Sequence, residues 1–319
     1  MTATILLMSA GEAPLLRHSL PAAMAQEGAR VVVLDNASGD QTEAVAREHG
    51  AEYLRLPERL PYARAMNEGI RRTEGAALLL LNADCFLAPG FLAAAMARLA
   101  EPRTGSVAPK LLRTEGPEPE RRLDAIDAAG MVVDRRRKNT LVGHGRPSLA
   151  YDDPGEAFGA DGAAALYRRE ALMDCALGAD VFDEDMELWA SDVDLAWRAR
   201  VLGWRCAYEP RAVAYHVRYY SPSTRARVPA ADRRLQFRNR YLMMVKNDTA
   251  GGLVRDLPHL VLYEALALGF ALLRERTLLR GYVDAAQLAP AAWRRRRAIQ
   301  ARRRERGLGG APLGLEPAP

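Results

Sequence analysis

Over the first 110 residues, apolar runs rich in leucine and β-branched residues alternate with alanine-rich stretches of helical spacing, the pattern of βαβ units feeding a mainly parallel sheet. The runs predict strands over residues 4–8, 30–34, 52–56 and 77–81, and helices over 15–27, 42–48, 62–73 and 89–100. Open α/β sheets bind ligands beyond the carboxyl ends of their strands. Ser9, the pair Asp35 and Asn36, and the triplet Asn82, Ala83 and Asp84 therefore come first as candidates for a binding site.

Further along, two polar stretches, 113–122 and 135–153, read as loops around a candidate strand at 125–133. A second ordered block spans 158–216, with a helix at 191–202, a strand at 205–208 and a strand-like run at 212–215. Beyond Tyr219 the arginines Arg225, Arg227, Arg233, Arg234, Arg238 and Arg240 precede an apolar run, 260–273, whose one charge is Glu264. That run is too short to span a bilayer. The expected division is an α/β domain over 1–220, a basic helical extension over 221–306 and a disordered tail over 307–319.

Composition adds three constraints. With 319 residues, 49% of them hydrophobic, the chain can bury a sizeable core. The cysteines Cys85, Cys175 and Cys206 have no metal-binding or redox spacing and are expected to be reduced and structural. The net charge of +5 is uneven: Arg294 to Arg297, Arg302 to Arg304 and Arg306 crowd one segment, which calls for an anionic partner. Two readings of the extension stay open. It lies on an anionic membrane surface, or it forms a helical bundle packed on the main domain. No aromatic residues interleave with these arginines in the manner of a single-strand binder, so nucleic acid is not expected. The start of the chain reads as a strand and not as a signal peptide, giving an expected cytoplasmic location, peripheral on the inner face of the plasma membrane under the first reading.

Asp35 opens the run Asp35-Asn36-Ala37-Ser38-Gly39-Asp40 at a strand end, where a carboxylate can accept a nucleobase imide N–H; the alternative is that Ser38 or Asp40 caps the next helix. Asn82 and Asp84 emerge from the most hydrophobic strand, a place suited to a metal-bridged diphosphate. Mg²⁺ and Mn²⁺ take oxygen donors, needing only one or two carboxylates beside substrate phosphates. His216 is the candidate second ligand. At the start of the helix at 191, Asp192 and Asp194 point away from one another. Asp194 has Arg198 four residues on and reads as structural, which leaves Asp192 for general-base chemistry, with simple N-capping as its alternative.

Taken together, Asp35 to Asp40, Asn67-Glu68-Gly69, Leu81 to Cys85, Phe182-Asp183-Glu184, Asp192 to Arg200 with Gly203-Trp204, Ala214-Tyr215-His216 and Phe237-Arg238-Asn239-Arg240 resemble family 2 of the inverting glycosyltransferases. This family has the GT-A fold, a Rossmann-like mainly parallel sheet. The likeness covers about residues 3–250 and is greatest to the rhamnosyltransferase-like branch acting in cell-surface polysaccharide assembly. It implies that Asp35 recognises the nucleobase, Asn67 shapes the donor pocket, Asp84 and His216 hold a divalent metal (Mg²⁺ or Mn²⁺), and Asp192 is the base. The implied partners are a nucleotide-sugar donor and a saccharide or polyprenyl-linked acceptor. Ser9, Asp40 and Asn82 join the expected donor site, Arg64 as a phosphate contact; Asp161 and Trp189 are expected on the acceptor side. Ser191 stands where the family commonly has a glutamate, with Glu187 as a candidate substitute. That departure keeps a second reading open: a catalytically weakened relative that binds a nucleotide sugar or glycan as a partner subunit. A sugar-phosphate nucleotidyltransferase would need a glycine-rich loop cradling the triphosphate, which Ser9-Ala10-Gly11-Glu12 does not offer.

Overall fold

The computed structural model describes residues 2–219 and 222–317. Its strands are β1 (Ala3–Ser9), β2 (Ala29–Asp35), β3 (Glu52–Arg55), β4 (Ala77–Asn82), β5 (Cys85–Leu87), β6 (Thr104–Thr114), β7 (Arg122–Ala128), β8 (Met131–Val133), β9 (Asn139–Leu141), β10 (Gly155–Ala157), β11 (Ala164–Arg168) and β12 (Arg205–His216). The helices are α1 (Ala13–Met24), α2 (Thr42–Glu48), α3 (Tyr62–Arg71), α4 (Phe91–Leu99), α5 (Arg169–Asp174), α6 (Ser191–Val201), α7 (Ala230–Asn247), α8 (Ala250–Arg255), α9 (Leu257–Leu273) and α10 (Thr277–Glu305).

The main sheet runs β10-β12-β6-β11-β4-β1-β2-β3. The first strands pair in parallel, β1 with both β2 and β4, and β2 with β3. Antiparallel β11 separates this half from the parallel pair β6 and β12. Near-continuous apolar strands follow from having both faces covered, and side chains alternate between the faces. Ile5, Leu7, Val33 and Leu79 join one core with Leu16, Leu20 and Phe91 of α1 and α4. Leu6, Val32, Leu34 and Leu80 join the opposite core with Met66 and Ile70 of α3.

The second half departs from expectation in three places. The 205–208 and 212–215 pieces are one strand, β12, because the register against β6 slips between Glu209 and Val213; Pro210 lies in that slip, where a missing N–H is tolerated. The candidate strand at 125–133 is two, β7 and β8, broken at Gly130, whose φ of +91° suits glycine. β6 was hidden by Pro109 and Lys110; the buried Lys110 is matched by an ion pair to Asp152.

The helices after 229 pack on the sheet domain through α7. Leu242 and Met243 share a core with Trp197, Phe158 and Ile299 of α10. The segment from 307, expected as a disordered tail, is instead fastened to the body as far as it is described. Gly314 N–H donates to Val133 (2.9 Å), the Leu315 carbonyl accepts from Phe158 N–H (3.0 Å), and Leu313 and Leu315 pack on that third core. The cysteines are free and buried, as expected.

Candidate active site

Two clusters form at the carboxyl ends of the strands. In the first, beyond β1 and β2, every carboxylate is engaged. The fully buried Asp35 takes Ser38 N–H on one oxygen (2.8 Å), and the Tyr53 hydroxyl and Arg55 (2.7 Å) on the other. Asp40 caps two helices: Oδ2 accepts Ala13 N–H (2.8 Å), and Oδ1 accepts both Thr42 N–H (3.1 Å) and its hydroxyl (2.6 Å). This is the capping role that was the alternative for Asp40. Ser9 is buried, its hydroxyl 3.1 Å from that of Thr42.

Asn67 likewise turns inward. It grips the backbone of Phe182 from both ends of its amide, donating to the carbonyl (2.9 Å) and accepting from the N–H (2.8 Å), and so fixes the 182 loop. Arg64, half-exposed, pairs with Glu184 at 3.2 Å.

The second cluster lies where β4, β11 and β12 end. Asp84 follows β4, and the β5–β12 register sets His216 opposite Cys85; His216 Nε2 comes 3.4 Å from Asp84 Oδ1. Both Asp84 Oδ1 and Asn82 Oδ1 are buried without a hydrogen-bond partner among the described residues. Such atoms are rare and call for an explanation, an unseen ion among them. His216 Nδ1 bonds Asp127 Oδ2 at 2.8 Å. Burial lowers the imidazole pKa, but the Asp84 charge and the Asp127 hydrogen bond outweigh it and lift it to about 9.

Asp127 and Arg218 are two residues of this cluster that sequence reasoning missed. Fully buried Asp127 takes Arg218 on both oxygens (2.7 and 2.8 Å). Burial raises its carboxyl, yet His216 and Arg218 together hold it well below the usual carboxylate range. Arg218 continues to Asp161 Oδ2 at 2.9 Å. A carboxylate amid the apolar Ala125, Ile126 and Ala128 was the available signal, since a buried charge demands a partner.

The turn at 161–163 ties this cluster to α6. The Ala163 carbonyl accepts from Asn82 N–H (3.0 Å), while Gly162 N–H donates to Asp192 Oδ2 (3.1 Å). A Cβ on Gly162 would lie 3.3 Å from that oxygen, a tight contact that would press on the carboxylate. Asp192 Oδ1 accepts its neighbour's N–H, from Val193 (2.8 Å). Half-buried Asp192 has its carboxyl lifted to about 6, first by burial and then by the Asp161 charge, against those two hydrogen bonds. Glu12, missed by the sequence reading, has its own carboxyl raised by burial and then by the charge of Asp84, so the two clusters adjoin.

The loop before α6 is strained. Glu187 and Ala190 hold φ near +60° (59° and 62°), conformations that non-glycine residues adopt only when their surroundings impose them. Here α7 imposes them. Asn239 donates to the carbonyls of Met186 (2.7 Å) and Trp189 (2.6 Å), and Arg238 to that of Asp185 (2.6 Å). Glu187 is not a helical neighbour of Asp192, since α6 begins at Ser191; its carboxylate pairs with Arg238 at 3.0 Å. The structure thus gives Glu187 a tethering role in place of the expected substitution. Ser191 is buried.

With this geometry in view, the family can be stated: the chain belongs to glycosyl transferase family 2, whose model matches residues 4–175. It is a glycosyltransferase with a GT-A-like fold, and similar folds occur in solved transferases. One is the mannosyltransferase PcManGT from Pyrobaculum calidifontis in complex with GDP-Man and Mn2+, at 21% identity and TM-score 0.56 over 95% of this chain and 84% of that one. Another is S. aureus TarS 1-349 in complex with UDP-GlcNAc, at 16% identity and TM-score 0.62 over 97% of this chain and 93% of that one. A third is GalNAc-T7 with UDP, GalNAc and Mn2+, at 15% identity and TM-score 0.60 over 77% and 48%. No curated relative matches the sequence.

Proposed function

We propose that the chain is an inverting, metal-assisted transferase that moves a sugar from a nucleoside-diphosphate donor to a hydroxyl of a saccharide or lipid-linked saccharide. The observation that carries this reading is Asp192: a half-buried carboxylate with a pKa raised to about 6, tied by one turn to the cluster of Asp84 and His216. A base with a pKa near the working pH is both largely ionised and basic enough to take a hydroxyl proton. Asp161, linked to Arg218, sits close enough to Asp192 to raise its pKa and borders the acceptor side, with Trp189 a candidate sugar contact. Asp35 and Ser9 belong to the nucleoside end.

Among the described residues no group of three or more His, Cys, Asp or Glu side chains is arranged to hold a metal ion. The residues present nonetheless fit one of the kind that shares its ligands with substrate. Asn82 Oδ1 is a buried oxygen with no hydrogen-bond partner among the described residues, Asp84 Oδ1 meets only the His216 ring at 3.4 Å, His216 adds an imidazole nitrogen, and Asp127 orients that ring from behind. Asp84 and His216 would hold a Mg²⁺ or Mn²⁺, whose chemistry is to neutralise charge on the departing diphosphate. The chain's own part is to ionise Asp192 beside the acceptor hydroxyl and accept its proton as the hydroxyl oxygen attacks the anomeric carbon; inversion follows from that single displacement.

The resemblance makes dTDP-rhamnose the first donor to try, with UDP and GDP sugars next, and cell-surface polysaccharide the expected setting. Buried Ser191, in place of a glutamate, supports the second reading of a weakened nucleotide-sugar- or glycan-binding relative. Nucleoside diphosphate release from a panel of nucleotide sugars, with and without Mn²⁺ or Mg²⁺, tests both for the wild type, Asp192→Asn and Asp84→Ala. Donor-selective, metal-dependent release lost in both variants supports the transferase; tight donor binding with no turnover across a broad acceptor panel sinks it in favour of the binding relative.

A further inference from the structure

Helices near a protein surface ordinarily turn their apolar stripe inward and their polar face to water. α9 is apolar outward as well as inward. Its charged residue Glu264 points at α7, accepting from Arg240 (2.6 Å) and the Tyr241 hydroxyl (2.5 Å). Tyr263 lies on the same side, under the Arg240 guanidinium at 4.4 Å. Of its 17 residues only Leu260 and Ala271 are buried. Facing outward are two adjacent stripes at helical spacing, residues 257, 261, 265, 268 and 272 and residues 258, 262, 266, 269 and 273, none of them polar. Val261, Leu262, Leu266 and Leu273 are 59, 63, 66 and 84% exposed, and Val254 of α8 adds another at 74%. Scattered exposed leucines need no explanation, but a contiguous apolar face of this extent marks an interaction site.

We propose that this face of α9 docks a membrane surface of anionic lipid, the helix lying in the plane of the bilayer. Charge chooses this occupant over a second copy of the chain. Arg255 precedes the helix in a cluster where it shares the buried Asp256 with Arg135 and Arg137, and exposed Arg274, Arg276 and Arg280 follow it, none of these three in an ion pair with a described residue. Two copies meeting face to face would set these basic ends against each other in either direction, whereas anionic headgroups complement both ends at once. Length agrees with docking and not crossing: 17 residues span about 25 Å, short of the roughly 30 Å hydrocarbon core, and no described helix is long and apolar enough to cross a membrane. Membrane binding grows with the apolar area a helix can bury and with attraction of nearby basic residues to anionic lipid, and α9 with its flanking arginines offers both. The bearing of this on a lipid-linked acceptor rests on the transferase reading above, but lipid docking does not, and the two fail separately.

The test is flotation of the full chain with vesicles of equal parts phosphatidylglycerol and phosphatidylcholine, against vesicles of phosphatidylcholine alone. Wild type is expected to float with the anionic vesicles. The double variant L262E/L266E, and separately Leu273→Glu at the most exposed position, are expected to partition at least about tenfold less while keeping the wild-type melting temperature. R274E/R276E is expected to lose most of the preference for anionic over neutral vesicles and its sensitivity to salt. Wild type staying with the buffer, or Leu273→Glu and L262E/L266E both floating undiminished, overturns the proposal. A wild-type dimer in sedimentation velocity that L262E/L266E disperses, with no flotation, gives the face to a second copy instead. A chain that floats yet releases no nucleoside diphosphate keeps the membrane face and sinks the transferase mechanism alone.

Discussion

The first turn of α6 carries two aspartates two residues apart, and its two sides treat them in opposite ways. On the core side, Asp194 is fully buried, 3.1 Å from Arg198 and 2.9 Å from Lys246, with Asn247 donating at 2.8 Å. Burial raises its carboxyl, but Lys246 and then Arg198 outweigh that and bring it below the ordinary value. On the cleft side, Asp192 meets only two backbone N–H groups and the charge of Asp161, and its carboxyl rises to about 6. The same side chain is thus a structural anion in one place and a proton acceptor in waiting in the other. The difference is whether a cation was supplied.

Four measurements sharpen or break this comparison. The largest effect is expected for Asp192→Asn, which removes the proposed proton acceptor: turnover should fall by about a thousandfold with donor affinity little changed. A loss below tenfold would return Asp192 to the role of a simple helix cap. Next comes Asp194→Asn, which leaves Arg198 and Lys246 buried with less counter-charge. Unfolding in urea should show a loss of about 3–5 kcal/mol, while the folded fraction keeps its turnover per molecule.

Third, Asp127→Asn leaves Asp84 and His216 in place but weakens the group that orients the ring. Mn²⁺ affinity, read by calorimetry in the presence of nucleoside diphosphate, should fall by about 10- to 100-fold; an unchanged affinity would separate His216 from any metal. The smallest effect concerns stability at the cleft. Asp192 has a folded-state pKa above its unfolded value of about 4, so its contribution to stability is complete below pH 4 and is lost as pH rises through about 6. Asparagine carries no such penalty. Asp192→Asn should therefore melt higher than wild type at pH 8, by the equivalent of about 1–2 kcal/mol, and equally at pH 4. Opposite signs for the two substitutions at neutral pH are the signature of the comparison.

The sheet was readable because buried parallel strands write themselves as unbroken apolar runs, as at Ala77 to Leu81. Asp192 was separable from Asp194 because helical spacing pairs the latter with Arg198. Legibility failed where the relevant partner is remote in sequence. Asp127 reaches His216 across 89 residues and Arg218 across 91, and no local pattern announces such a pairing. Asp40 could be read as cap or donor contact from its run alone; it caps the following helix through Thr42, and its second cap, at Ala13 of a different helix, no local pattern announces. β6 and the packed segment after 307 were lost for a related reason: Pro109, Lys110 and the glycines near the end are poor formers in isolation, and tertiary partners override that preference.

The loop that delivers Asp192 is held in its strained shape by Asn239 and Arg238, and Asp183 and Asp194 beneath it are neutralised by Lys246, all three from α7. The family match ends at residue 175, before any of these. An extension that supplies counter-charge and backbone clasps to the loop bearing the proposed base is not exchangeable cargo. Grafting the sheet domain onto another C-terminal region, or trimming the chain near 220, would leave Asp183 without its cations and Asp194 with Arg198 alone, and would release the turn above them. The unit that can be recombined intact includes α7 and also α10, whose Ile299 shares a core with Leu242 and Met243 and whose Arg295 pairs with Asp183 and Asp185.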